Sequence, residues 1–69
     1  MNKEQILALR KKMEKTQPEF ARRLHVAAAT VSRWECGTKR PGIVNLRKLK
    51  RLAVKYGLLL EVSDATTTS

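Results

Sequence analysis

The side chains of this 69-residue chain that could do chemistry are overwhelmingly cationic. Fifteen Lys and Arg against six Asp and Glu give a net charge of +9. No acidic residue lies between Cys36 and Leu60, while Lys39, Arg40, Arg47, Lys48, Lys50, Arg51 and Lys55 all fall there. On so small a body such a field draws polyanions, and nucleic acid is the partner it favours. A basic helix lying on a membrane surface is the competing reading of that stretch. Other chemistries are poorly provided for. A single cysteine, Cys36, excludes an intramolecular disulfide and a cysteine-cluster metal site, and one histidine adds too little for a structural zinc. No carboxylate pair, nucleophile–histidine pair or metal-ligand cluster is visible, so neither catalysis nor a cofactor or metal is expected.

Cations that read or grip a polyanion need rigid elements to hold them. The stretch QPEFARRLHVAAATVSRWEC, Gln17 to Cys36, places apolar residues at Phe20, Leu24, Val26, Val31 and Trp34, with small Ala21 between the first two. Phe20 and Leu24 stand one helical turn apart, and Val31 and Trp34 share a face on a second helix. This spacing predicts two short helices crossing steeply through a tight turn, with Val26 plugging the turn and Ala21 allowing close approach. Ala28, Ala29, Ser32 and Arg33 are left facing outward. A short exposed helix on a basic protein suits the DNA major groove.

The flanking elements follow from caps and periodicity. Asn2 and Gln5 have capping-box spacing, and Ile6, Leu9 and Met13 form one apolar stripe, predicting a first helix over about Lys3–Glu14. Thr16 and Glu19 form a second capping box, with Pro18 in the first turn of a helix ending near Leu24. The third helix is expected over Ala28–Cys36, stopped by Gly37 in a left-handed conformation. A loop from Thr38 to Gly42 carries Lys39 and Arg40. A fourth helix is expected over Ile43–Tyr56, with Ile43, Leu46, Leu49, Leu52, Ala53 and Tyr56 in one core-facing arc and Gly57 as its stop. The length allows one domain, 1–57, burying only about 60% of its unfolded surface, so dimerisation would help it. Residues 58–63 are short and strand-compatible. A strand there needs a second copy to pair with, through Leu58, Leu60 and Val62; a short fifth helix or irregular chain over the core is the alternative. Residues 64–69 are expected to be disordered. No apolar run reaches transmembrane length and the start MNKEQ is not a secretory signal, so a cytoplasmic location and no membrane partner are expected.

Several motifs in register resemble one family. TQPEF is similar to the TQ-x-E-hydrophobic opening, TVSRWE to the recognition-helix signature, and Gly37 to Pro41 to the G-x-x-x-P loop of the phage repressor and Cro (Xre) helix-turn-helix family. LRKLKRLAVKYG, Leu46 to Gly57, resembles its fourth helix, so the likeness covers roughly residues 5 to 57. The resemblance implies an all-α, four- to five-helix, lambda-repressor-like DNA-binding domain, the short C-terminal strand remaining an open addition. It also implies a sequence-specific transcription regulator, usually a repressor, on double-stranded DNA, expected here as a homodimer on an inverted repeat. An antitoxin that controls its own operon and binds a toxin protein is the alternative, and a basic RNA-binding protein a third.

The family's docking points Arg33 into the major groove, on one face with Ala28, Ala29 and Ser32. There arginine can pair bidentately with guanine, contributing about 1–3 kcal/mol of discrimination. Alanines at 28 and 29 depart from the family's polar readers and leave thymine-methyl contact and DNA shape to do more. Gln17, at the start of helix two, is expected on a phosphate, as are Lys39 and Arg40. Thr30 is expected on a phosphate, or in a core or local capping role. Arg10 and Glu35 match a family pair, either structural or aiming Arg10 at a phosphate. His25 stands where the family has a turn glycine, at a left-handed position costing about 1–2 kcal/mol. Ala27 stands where it commonly has a Ser or Thr cap, leaving about 1 kcal/mol of capping absent.

Overall fold

Asn2 and Thr16 start their helices as the capping boxes require. Asn2 Oδ1 accepts from the Gln5 amide at 2.8 Å while Gln5 Oε1 accepts from the Asn2 amide at 2.9 Å. Thr16 Oγ1 and the Glu19 carboxylate exchange the equivalent bonds at 3.3 and 2.9 Å. In a computed structural model that describes residues 1–58, the chain then forms four helices. They are α1 (Lys3–Lys12), α2 (Gln17–Leu24), α3 (Ala28–Cys36) and α4 (Ile43–Lys55). The last two begin at Ala27 and Gly42 with no side-chain cap.

All four helices stop by the same device. A residue with positive φ turns the chain, and its own amide and the next fold back onto the last carbonyls. At α1, Glu14 (φ 57°) donates to Lys11 O at 3.0 Å and Lys15 to Arg10 O at 3.2 Å. At α2, His25 (φ 61°) donates to Arg22 O at 3.2 Å and Val26 to Ala21 O at 3.0 Å. Gly37 with Thr38, and Gly57 with Leu58, repeat the pattern after α3 and α4. The strain expected at His25 is therefore present, and a second instance at Glu14 was not legible in advance. It ends α1 at Lys12, two residues before the predicted boundary, and α4 likewise stops one residue early, at Lys55. His25→Gly should stabilise the fold: relief of a cost of about 1–2 kcal/mol exceeds glycine's entropic penalty of about 0.5–1 kcal/mol. Thermal melts should rise by roughly 2–8 °C with DNA affinity unchanged; a lower melting temperature would show that the imidazole makes a stabilising contact.

The core gathers Ile6, Leu9, Met13, Phe20, Ala21, Leu24, Val31, Trp34, Leu49, Leu52 and Ala53. Here α3 packs on α2 and α1, and α4 on α1. Val26 is partly buried against this cluster, as a turn plug must be. One expectation for α4 fails. Ile43 was placed in the core arc but is 67% exposed, with Val44 61% exposed beside it, and Leu46 is only half-buried. A 100° arc gives direction around a helix but not how far the core reaches along it, and here the core covers only the later turns. Leu58 packs on its own chain's core, its amide bonded to Ala53 O at 2.8 Å. Leu60, Val62, the strand and the disordered tail expected over 64–69 lie outside the described residues. No helix among the described residues is long and apolar enough to cross a membrane.

Candidate nucleic-acid interface

Two fully buried side chains, Val31 and Trp34, pin one face of α3 to the core. The alternation of large apolar and small or charged residues in AATVSRWEC then forces the opposite face outward. Ala29 and Arg33 are exposed there, and Thr30 and Ser32 are half-buried at its margins. Ala28 was expected to face fully outward; it is half-buried and packs partly on the core, because it begins the helix beside the turn that Val26 fills. The far end of α3 is equally fixed. Arg33 O accepts from the amides of Thr38 and Lys39 at 3.1 and 3.4 Å and from Thr38 Oγ1 at 3.3 Å. These bonds seat the exposed Lys39 and Arg40 close to the end of the helix.

Three helices meet at the Glu35 carboxylate. Arg10 of α1 donates from Nε to Oε2 at 2.6 Å and from Nη2 to Oε1 at 3.1 Å, and Gln17 Nε2 of α2 reaches Oε1 at 2.9 Å. Arg10 Nη1 also donates to Lys15 O at 2.9 Å, the carbonyl closing the turn after α1. The pair is largely out of solvent, with side chains 18% and 7% exposed, and is the one ion pair among the described residues. Arg10, expected either in a structural pair with Glu35 or on a phosphate, and Gln17, expected on a phosphate, thus direct these donors to Glu35 and orient α3.

Burial of the Glu35 carboxyl works against its charge, but hydrogen bonds from Arg10 and Gln17 and the charges of Arg10 and Lys11 outweigh it and hold the pKa below the ordinary value. A depressed folded-state pKa means that the unfolded chain binds the proton more readily. The stabilisation is therefore complete above the unfolded value of about 4.3 and is lost as pH falls through the folded one. Urea melts should show the midpoint falling over that acidic window. Glu35→Gln should flatten the fall, leaving the part carried by Glu19, whose pKa is lowered by its backbone and side-chain hydrogen bonds with Thr16. A fall of undiminished steepness in the variant would remove Glu35 from the acid response.

The folded chain also adds a cation to this edge. An open groove of about 530 Å³ runs between the start of α1 and the loop, bordered by Lys3, Lys39 and Arg40. The Lys3 stem lies across the end of α3, close enough that a Cβ on Gly37 would meet its Cδ at 3.1 Å. Nothing in the sequence signals this neighbour, because it is made by packing between α1 and α3 rather than by spacing.

A family model described as helix-turn-helix matches residues 6–61, most of the chain. Neither the curated proteins nor the solved structures yield a match.

Proposed function

The chain belongs to the Cro and phage-repressor (Xre) family of helix-turn-helix proteins and is a DNA-binding regulator, and from that premise we propose that it represses transcription as a homodimer on an inverted-repeat operator. The observation that carries this reading is the division of α3: Val31 and Trp34 are inside while Arg33 and Ala29 stand bare on the opposite face. A helix held on one side and empty on the other fits lengthwise into a major groove.

In this reading Arg33 pairs with guanine, Ser32 offers a hydroxyl to a base edge, and Ala28 and Ala29 bring the helix close to thymine methyls. Lys39 and Arg40 grip phosphates beside the helix end, and Thr30 and the amide-bearing start of α2 at Gln17 do the same on the other side. Arg10 acts through Glu35, fixing the angle of α3. Two copies with their α3 helices about 34 Å apart read successive turns of the duplex, and occupancy of a promoter excludes polymerase.

Selection from random duplexes at stated salt tests this directly. The enriched pool should share a short inverted repeat with half-site centres about 10 base pairs apart. A pool without a shared sequence, or with one unpaired half-site, would overturn sequence-specific dimeric binding. Lys39→Ala should weaken all duplexes alike and reduce the salt slope by about one; an unchanged slope would show that Lys39 touches no phosphate.

A further inference from the structure

Lys3 is the first residue of α1, yet its side chain lies at the end of α3. The Asn2 capping box holds the first turn of α1, so the lysine is set in place rather than frayed. From there its Cδ and Nζ lie 3.1 and 3.7 Å from the point that a Cβ on Gly37 would occupy. Seven residues further along α1, about 10 Å away, the pair between Arg10 and Glu35 ties the same two helices together again. Lys3 therefore keeps a fixed position relative to the base-reading helix although another element carries it.

Its surroundings are those of an anion site. Lys3, Lys39 and Arg40 all border the groove of about 530 Å³ at this end of α3, and all three are exposed. Glu4 is the one carboxylate along its described lining, so the balance is positive. Ile6 and Trp34 beneath are almost wholly buried, which leaves the cationic rim as the accessible chemistry. The loop cations of this rim are the ones assigned to phosphates, and a duplex that meets them passes the Lys3 ammonium as well.

We propose that Lys3 is a backbone-gripping residue of the DNA interface, its ammonium taking a phosphate at the mouth of the groove it shares with Lys39 and Arg40. This rests on the DNA-binding reading above and extends the grip to α1, a helix to which that reading gives only a supporting part. The contact is blind to sequence, because a phosphate is the same at every step of the duplex.

The test measures binding of a fluorescein-labelled duplex of mixed sequence across a salt series, by anisotropy. Lys3→Met keeps the stem over Gly37 and removes only the charge. It should weaken binding several-fold and make the salt slope shallower by about one, with the thermal midpoint of the free protein unchanged. Lys3→Arg should keep the parent slope, and Lys3→Gln serves should the methionine disturb α1. Lys12→Met controls for net charge: Lys12 is exposed and lies about 180° round α1 from Lys3, so its loss should leave the slope unchanged. A parental slope in Lys3→Met and Lys3→Gln, beside a shallower one in Lys39→Ala, would overturn the proposal and leave the DNA reading standing. A parental slope with a lowered thermal midpoint would also overturn it, assigning Lys3 to the negative end of the α3 dipole. So would an equal loss of slope in Lys12→Met, which would reduce the effect to overall charge. A parent that binds no duplex at low salt would sink both readings together.

Discussion

Trp34→Ala should leave little of the chain folded at room temperature. The indole is 2% exposed, among the largest fully buried side chains, and it joins α3 to the rest of the core. Removing a buried Trp costs about 3–5 kcal/mol. A chain of this length has on the order of 3–10 kcal/mol in total. Urea unfolding followed by circular dichroism should show the midpoint collapse, with Trp34→Phe recovering much of it. A Trp34→Ala midpoint near that of the parent would mean that α3 is held mainly by the Glu35 network and the turn.

Arg33→Ala, one residue away, should do the reverse: leave the fold intact and change what is bound. Its side chain is exposed and makes no hydrogen bond to the protein among the described residues, so its loss removes no packing. Specific affinity should fall by about 1–3 kcal/mol per half-site contact, and preference should relax at one base pair in each half-site. Titrations against a panel of single-base operator variants read this out. If the variant ranks that panel as the parent does, another residue reads the sequence.

The contrast between these neighbours was legible in the sequence because it needs only local geometry. Val31 and Trp34 fix which side of α3 is inside, and the capping boxes at Asn2 and Thr16 fix where two helices begin. The left-handed turn at His25 was legible as well, since a tight turn demands it whatever residue stands there. Three features were not. Glu14 turns left-handed although nothing distinguishes it from its helical neighbours, and Ile43 lies on the correct arc but beyond the reach of the core. The Gln17 side chain is the third, its amide nitrogen bonded to Glu35, eighteen residues away, a partner that no spacing announces. Each depends on which helix lies alongside, a tertiary fact that periodicity does not carry.

The two helix stops made without glycine have a consequence for descent as well as for folding. Glu14 and His25 are exposed and sit at turns that glycine fills at lower conformational cost. Each is thus one residue substitution from a sturdier molecule. A lineage could draw on that slack when new side chains at Ala28 or Ala29 disturb packing. Targets on the genome could then shift without the molecule passing through an unfolded ancestor.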